Sequence, residues 1–406
     1  MPSRWLTILL LGAMCYVLGM ATQIGWLYLF AALVWGAGLA SALLAWLSLR
    51  NLEVSRAIID WKRARPQLNT PGISEEDELQ VSLTIRNRSY LPKCLLRIFE
   101  SCPLEEPGKE TKSFLLASLG ARASAKITYQ VKCYRRGEFA FPQILVEASG
   151  PFGLLSRRRK FSAPLSVLVY PACYPLRGLP SAGLNRSHAG ATRKERDGDL
   201  FCGSREYQRG DSLRHIHWRN TARWQKLMVK EFENTASSTL TIIFDTKNFG
   251  RGKESTLEYT LKIAASVILH CARQGRRALL VPGELYVYPR GDSLRQAMEF
   301  LARLRPGDEV YSRERLSSPQ GLGPVLAMVP LADALAVSAI RELGARTKQL
   351  TVVALTGFGE AELPLKILSP LEGDPVCVIP CQRGKLEEAL ARLGLTAETA
   401  HARAGA

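Results

Sequence analysis

One segment of the chain concentrates the residue types that most often carry chemistry: residues 203–233 read GSREYQRGDSLRHIHWRNTARWQKLMVKEFE. His215 and His217 stand two positions apart, and on a strand such a pair shares one face and can bind a metal ion. With Asp211 nearby, they suggest a metal-dependent hydrolase. No third ligand is evident, however, and the chain has no recognised nucleophile, zinc-protease or nucleotide-binding motif. We therefore expect no enzymatic activity and keep the hydrolase as an alternative.

The same segment interleaves basic with aromatic side chains, a composition that suits stacking on single-stranded nucleic acid. Four carboxylates dilute its positive charge, and no recognised nucleic-acid-binding module accompanies it. A nucleic-acid binder is therefore a second alternative. The basic residues are Arg205, Arg209, Arg214, Arg219, Arg223, Lys226 and Lys230, the aromatic ones Tyr207, Trp218 and Trp224, and the carboxylates Glu206, Asp211, Glu231 and Glu233.

A structural and interactive role for the segment fits more of its residues. Arginine forks onto carboxylates with defined geometry, so a charge network pinned by the Gly210-Asp211 turn would join two folded halves of the chain. We expect Trp218 to pack beneath this network. The exposed remainder would dock another protein, because Arg, Tyr and Trp are favoured at interface hot spots. The residues expected to carry this role are Arg205, Tyr207, Gly210, Asp211, Arg214, Trp218, Arg223 and Glu231.

Upstream of the segment, residues 52–172 show the pattern of strands with one face in water. Residues 78–87 and 125–134 alternate apolar with polar side chains, which is typical of antiparallel sheets. The spacing predicts an antiparallel β-sandwich-like domain. Its basic cluster, Arg157–Lys160, is either a solvated strand end or a contact with anionic lipid. Further strands are expected at 95–100, 113–117, 144–148 and 165–170.

Downstream, after a predicted linker at 173–202 and the segment 203–233 itself, residues 234–400 alternate continuous apolar stretches with helical periodicity. This order predicts an α/β domain with a mostly parallel sheet and helices on both faces. Ligands of such sheets bind beyond the carboxyl ends of the strands, where Asp245 stands. Strands are expected at 239–245, 277–281, 325–329, 350–355 and 376–379, and helices at 254–275, 294–304, 333–346 and 386–393.

The first part of the chain, residues 1–51, is expected to lie in a membrane. Two uncharged apolar runs, Trp5–Ala21 and Trp26–Leu49, are joined by a short break, and a membrane-spanning helix needs about 20 such residues. The pair predicts a transmembrane hairpin. Basic residues flank it on both sides, from Arg4 before it to Arg50 and beyond after it. Because basic residues stay on the cytoplasmic side, we expect both termini in the cytoplasm and an inner-membrane location.

The composition of the chain limits the class of protein and the kinds of partner that are possible. The chain has 406 residues, enough for two or three domains, and 47% of them are apolar, which excludes wholesale disorder. The formal net charge of +17 favours anionic partners such as acidic lipid, nucleic acid or an acidic protein face. Nine scattered cysteines show no disulfide framework of the secreted type, which fits a reduced, cytosolic body.

The segment resembles the signature of the bacterial family known as domain of unknown function 58. Matching positions include Arg205, Tyr207, Gly210, Asp211, Arg214, Ile216, Trp218, Ala222, Arg223, Leu227, Val229 and Glu231. The chain departs from the family at His217, where an aspartate is usual. The resemblance implies a carboxyl-terminal region similar to von Willebrand factor A domains. It also implies a MoxR-class AAA+ ATPase as partner, alongside the lipid bilayer.

A typical A domain binds Mg²⁺ through Asp-x-Ser-x-Ser after its first strand, since hard cations take oxygen ligands. Here Asp245 is present, but Lys247 and Phe249 occupy the serine positions. An ammonium group repels a cation and a phenyl ring offers no ligand. We therefore expect a degenerate site at Asp245 with no metal, no cofactor and no small-molecule substrate.

Overall fold

The computed structural model describes residues 2–150, 155–179, 200–207, 216–233, 239–244, 246–281, 285–288, 292–307, 324–331, 333, 337–339, 343–344, 350–359, 364 and 376–394. The chain forms two compact units. One comprises Met1–Ala64 with Glu75–Val169, and the other comprises Arg65–Ser74 with Tyr170–Ala406. Most of the predicted linker, residues 180–199, lies outside the described residues.

The first unit begins with two apolar helices, α1 (Pro2–Thr22) and α2 (Gly25–Leu49). Among the described residues, α2 is long and apolar enough to cross a membrane, and α1 contributes the shorter apolar stretch Leu6–Thr22. The helices contact each other through aromatic rings, with 5.4 Å between the ring centroids of Tyr16 and Tyr28. An N-terminal apolar helix with the length of a membrane span is therefore present.

After α2, two antiparallel sheets build the β region of the first unit. The first sheet has the order β1-β2-β5 and the second has the order β4-β3-β7-β8, while β6 pairs with β9. The alternation that predicted β2 and β5 is seen as buried and exposed faces. The strands are β1 (Leu52–Lys62), β2 (Glu78–Asn87), β3 (Lys93–Ser101), β4 (Thr111–Leu119), β5 (Ser124–Lys132), β6 (Gly137–Ala140), β7 (Ile144–Ser149), β8 (Ser156–Phe161) and β9 (Ser166–Val169).

A buried ion pair joins the two sheets of this unit. The guanidinium of Arg56 on β1 lies 2.7 Å from the Glu100 carboxylate on β3, and both side chains are 0% exposed. Arg56 also donates to the carbonyl of Ala163 at 2.8 Å, and the Tyr129 hydroxyl donates to Glu100 at 3.2 Å. Burial, followed by the Glu100 charge, raises the pKa of Tyr129 above its usual value. The network is internal to the β region.

The second unit contains a six-stranded mixed sheet with the order β16-β15-β12-β17-β18-β19. Five strands are parallel, and β16 pairs antiparallel with β15 at one edge. The parallel strands are apolar because they pack into the core, as Ile243, Ala327 and Val352 do. The strands are β12 (Thr239–Phe244), β15 (Arg277–Leu280), β16 (Leu285–Val287), β17 (Val325–Pro330), β18 (Leu350–Thr356) and β19 (Val376–Gln382), while β13 (Gly250–Arg251) and β14 (Glu254–Ser255) form a small separate pair.

Helices accompany this sheet as the periodicity predicted. Helix α4 (Thr256–Arg273) has Ser255 as its N-cap, and the Ser255 hydroxyl accepts from the Glu258 amide at 3.5 Å. Helix α5 (Ser293–Arg303) follows β16, and residues 386–394 are helical after β19. The predicted helix at 333–346 lies mostly outside the described residues, of which 337–339 and 343–344 are helical. The coarse α/β prediction is therefore confirmed.

Candidate interaction surface

Two paired strands lie at the two ends of the segment 203–233. β10 (Leu200–Glu206) pairs antiparallel with β11 (Met228–Glu233), and the register shifts between Phe201 and Gly203. On its other side, β11 makes an isolated antiparallel bridge from Val229 to Ile216. Both of these side chains are 5% exposed. This bridge joins two buried apolar residues, one on β11 and one in the middle of the segment.

A short helix, α3 (Trp218–Trp224), stands on this frame. Its N-cap is His217, whose Nδ1 accepts a hydrogen bond from the Asn220 amide at 3.1 Å. The His217 amide in turn donates to the Met228 carbonyl at 2.7 Å. Aspartate is among the best N-cap residues because its side-chain oxygen accepts the same kind of bond. The histidine therefore retains a capping acceptor at the position where the family usually has aspartate.

Polar contacts rather than burial fasten the rest of α3. The Asn220 side-chain amide donates to Ser204 Oγ on β10 at 2.6 Å, and Thr221 Oγ1 accepts from the Met228 amide at 3.0 Å. The helix ends at Gln225, which is in the left-handed region with φ 52°. Sequence reasoning missed Ser204, Asn220 and Thr221, because nothing in their spacing showed that α3 would fold back on both strands.

The outward side of α3 combines large apolar with basic side chains. No side chain of the helix is buried, and Trp218 and Trp224 are 70% and 64% exposed. The expectation that Trp218 packs beneath a charge network is therefore wrong. Lys226 pairs with Glu206 at 3.2 Å, but both side chains are well exposed, so water screens the pair. We call Trp218, Arg219, Arg223, Trp224, Lys226 and Leu227 the α3 surface; all six are exposed.

The remaining predicted site residues divide into three groups. Gly210, Asp211 and Arg214 lie outside the described residues, as does His215 of the hydrolase alternative. Tyr207 is half-buried, and its amide donates to the Leu227 carbonyl at 2.8 Å. Arg205 and Glu231 have defined backbone positions. In the β10–β11 ladder, Arg205 pairs with Val229 and Glu231 pairs with Gly203. The predicted charge network therefore stays a prediction.

A second place of interest is the carboxyl edge of the parallel sheet, where β12 and β17 lie side by side. From β12 the chain runs outward to β15 and then returns to β17, which makes this the point where the strand order reverses. Lys247 follows β12, and its ammonium lies 2.7 Å from the carboxylate of Asp333, which follows β17. Asp245 lies outside the described residues. Within the described part of the chain, no group of three or more potential metal-binding side chains comes together.

The segment that forms the α3 surface also carries the family relationship. Residues 203–367 match the family described as "Protein of unknown function DUF58". Within residues 203–367 the chain is therefore similar to the DUF58 family, in agreement with the resemblance of its signature segment. A curated relative, "Uncharacterized protein YeaD" from Bacillus subtilis (strain 168), is 23% identical over 334 residues, which span 77% of this chain and 78% of the relative. The likeness to YeaD thus extends well beyond the region that the family description matches.

Two solved structures are remotely similar to this chain. A GH20 exo-β-N-acetylglucosaminidase from Vibrio harveyi aligns with a TM-score of 0.20 at 9% identity, over 79% of this chain and 70% of that enzyme. The alkylpurine DNA glycosylase AlkC from Pseudomonas fluorescens aligns with a TM-score of 0.17 at 18% identity, over 34% of this chain and 38% of that one. Such low scores assign neither a fold nor an activity to the chain.

Proposed function

We propose that this chain is a membrane-anchored protein that docks another protein through the α3 surface and performs no chemistry of its own. The observation that carries the proposal is the exposure of Trp218 and Trp224, at 70% and 64%. Two exposed tryptophans on one short helix, with the exposed Leu227 after it, concentrate apolar surface in one place, and such concentrations mark interaction sites. Tryptophan and arginine are also the side chains that dominate protein interfaces.

The membrane part of the proposal rests on the two apolar helices. We infer that α1 and α2 together form a two-span hairpin in the inner membrane, with both termini in the cytoplasm. Support comes from the absence of charge in Trp26–Leu49 and from the basic residues that follow it, beginning with Arg50 and Arg56. The β region and the DUF58 region would then both face the cytoplasm.

The second unit is proposed to be von Willebrand factor A-like. Its strand order, with β12 central and an antiparallel strand at one edge, supports this assignment. At the reversal point the Lys247 ammonium pairs with Asp333, so a protein cation occupies a position beside the carboxylate that a bound metal would otherwise use. Recognition without a metal therefore fits the ligand chemistry better than Mg²⁺-dependent recognition. The family resemblance implies a MoxR-class AAA+ ATPase as the partner.

Co-purification from membranes tests the proposal. Full-length chain would be co-expressed with the MoxR-class ATPase of the same organism, and recovery of the ATPase would be compared between the native chain and Trp218→Ala/Trp224→Ala. The matched control is Tyr286→Ala/Tyr288→Ala, because these two tyrosines are 54% and 46% exposed in the same unit. We expect the tryptophan pair to abolish recovery and the tyrosine pair to preserve it.

Three other results would contradict the proposal. Equal recovery of the ATPase with both variants would show that the α3 surface does not dock the ATPase. Stoichiometric zinc in the purified chain would favour the hydrolase that uses His215, His217 and Asp211. Salt-sensitive binding of mixed-sequence oligonucleotides, lost in an Arg219→Gln/Arg223→Gln variant, would favour the nucleic-acid binder.

A further inference from the structure

The last turns of α2 are covered by the β7–β8 hairpin of the same unit. Gly150, which directly follows β7, approaches the helix so closely that a Cβ at this position would lie 2.1 Å from Ser41 Oγ and 2.5 Å from the Ser41 carbonyl oxygen. Ser41 is 0% exposed. It stands eight residues before Leu49, the end of α2, which is about 12 Å along a helix. The hairpin therefore runs beside the apolar helix instead of ending where the helix ends.

Two basic residues fix the β region to the end of α2. The ammonium of Lys93 on β3 donates to the carbonyls of Leu47 and Arg50 at 2.9 and 2.6 Å, and Arg159 on β8 donates to the Leu49 carbonyl at 3.1 Å. The last four carbonyls of a helix have no intrahelical partner, and cations are favourable beside them. Lys93 is almost fully buried, and this burial lowers its pKa. The position of β8 beside α2 is thus held by specific bonds.

β8 presents four successive basic side chains at the edge of its sheet. Arg157, Arg158, Arg159 and Lys160 are all exposed, and β8 is the outermost strand of the order β4-β3-β7-β8. Arg158 pairs with Glu147 at 2.9 Å, and Arg159 is used at the end of α2. Within the part of the chain that the structure describes, Arg157 and Lys160 have no ion-pair partner. β8, the strand that contacts the end of α2 through Arg159, therefore also carries two cations without an ion-pair partner among the described residues.

We propose that Arg157 and Lys160 bind the phosphates of anionic membrane lipids, with the β7–β8 hairpin immersed in the headgroup layer beside α2. The inference rests on the proposed membrane anchoring. If α2 spans the bilayer, Ser41 lies within its apolar stretch, so a strand held between the levels of Ser41 and Leu49 reaches headgroup depth. Guanidinium and ammonium groups at that depth meet anionic phosphates, which attract them electrostatically.

Lipid binding by the full chain in neutral detergent tests the assignment. Labelled phosphatidylglycerol and phosphatidylcholine would be titrated separately against native chain and Arg157→Gln/Lys160→Gln. The charge-matched control is Lys62→Gln/Lys132→Gln, because these exposed residues lie across β2 from each other, at the end of β1 farthest from α2. We expect the β8 variant to lose about tenfold to thirtyfold in affinity for phosphatidylglycerol. Phosphatidylcholine binding and the control variant should be unchanged.

Several results would contradict the proposal that these two cations bind lipid phosphates. Equal losses in both variants, or equal affinity of the native chain for the two lipids, would overturn the proposal. Full competition by millimolar inorganic phosphate would show a site for free anions instead of lipid. A β8 variant that aggregates with unchanged lipid affinity would show that these cations only protect a sheet edge, a common use of charge on edge strands.

A photo-crosslinker separates failure of this proposal from failure of the anchoring itself. Ser156, the first residue of β8, would be replaced by p-benzoylphenylalanine in the full chain in phosphatidylglycerol-containing vesicles, with Lys132 replaced in the control. We expect a lipid adduct at 156 and none at 132. Release of the chain by an alkaline carbonate wash would reject the membrane anchor, whereas a retained chain with no adduct at 156 would reject only the immersed hairpin.

Discussion

Charged side chains are buried and paired in the β region of the first unit, whereas the described ones on α3, in the segment 203–233 of the second unit, are exposed. In the β region, Arg56 and Glu100 are both 0% exposed and bond to each other. In the segment, the described basic side chains of α3 are exposed and lie near two exposed tryptophans. The arginine–carboxylate network expected in the segment stays a prediction, while the structure shows one such pair between the two β sheets. Buried charge paired with an opposite charge supports a fold, whereas exposed charge beside aromatic rings is available for recognition.

The largest expected effect tests the buried side of this comparison. Glu100→Gln removes the charge that compensates Arg56, and an uncompensated buried guanidinium costs about 3–5 kcal/mol. The free energy of unfolding would be measured by urea titration of the full chain in detergent, with hydrogen exchange on β1 as a local readout. The control is Glu53→Gln, because Glu53 pairs with Arg88 at 2.7 Å with both side chains well exposed. A loss below about 1 kcal/mol, like that of a surface pair, would contradict the assignment.

A smaller effect is expected at the junction of α2 and β3. Lys93→Met removes the donor to the Leu47 and Arg50 carbonyls. The Leu47 carbonyl keeps the Arg50 amide as a donor at 3.2 Å, whereas the Arg50 carbonyl loses its bond to Lys93, and an unsatisfied acceptor shielded from water costs about 1–3 kcal/mol. We expect the variant to become sensitive to proteases near residue 50 at temperatures that the native chain tolerates. Lys126→Met, at an exposed position on β5, is the control. Identical digestion of both variants would show that the junction does not depend on this lysine.

The next prediction concerns the exposed segment and tests whether His217 stabilises α3 as its N-cap. His217→Ala should destabilise α3 by about 1 kcal/mol, whereas His217→Asp should keep or increase its stability, since aspartate is the better cap. Hydrogen exchange at the Asn220 amide, which donates to His217, reports this local stability directly. Slower exchange in the alanine variant than in the aspartate variant would mean that His217 does not stabilise α3 by capping it.

The smallest expected effect on stability belongs to the α3 surface. Trp218→Ala/Trp224→Ala removes two side chains that bury little of their area, so the free energy of unfolding should change by no more than about 0.5 kcal/mol. Thermal unfolding of the full chain in detergent would measure it. A loss of 2 kcal/mol or more would show that the tryptophans pack in the fold and are not free for a partner.

Periodicity explains what the sequence could predict. The alternation of residues 78–87 matches β2 at both ends, and the continuous apolar stretch at 239–245 became β12, because these patterns report which face is buried. β8 was anticipated only as a solvated strand end, since four successive basic residues carry no alternation that would mark a whole strand. β1 was missed although Leu52, Val54 and Arg56 alternate, because a buried arginine looks like a polar position in a sequence.

The functional segment was harder to predict for a different reason. The residue types of α3 were evident, but whether a tryptophan is buried depends on contacts distant in sequence. The pairing of β10 with β11 joins residues such as Arg205 and Val229, which stand more than twenty positions apart. The hydrogen bonds from Asn220 to Ser204 and from Met228 to Thr221 follow from that pairing. Composition therefore suggested recognition, while only the fold showed which side chains face outward.

One measurement tests the central claim most directly: the affinity of the full-length chain, in detergent, for the purified MoxR-class ATPase. If the α3 surface is the docking site, Trp218→Ala/Trp224→Ala should weaken binding by at least about thirtyfold, because interface hot spots contribute about 2 kcal/mol or more. The unfolding free energy should stay unchanged in the same preparation. Native affinity in the double variant, with an unchanged fold, would contradict the account.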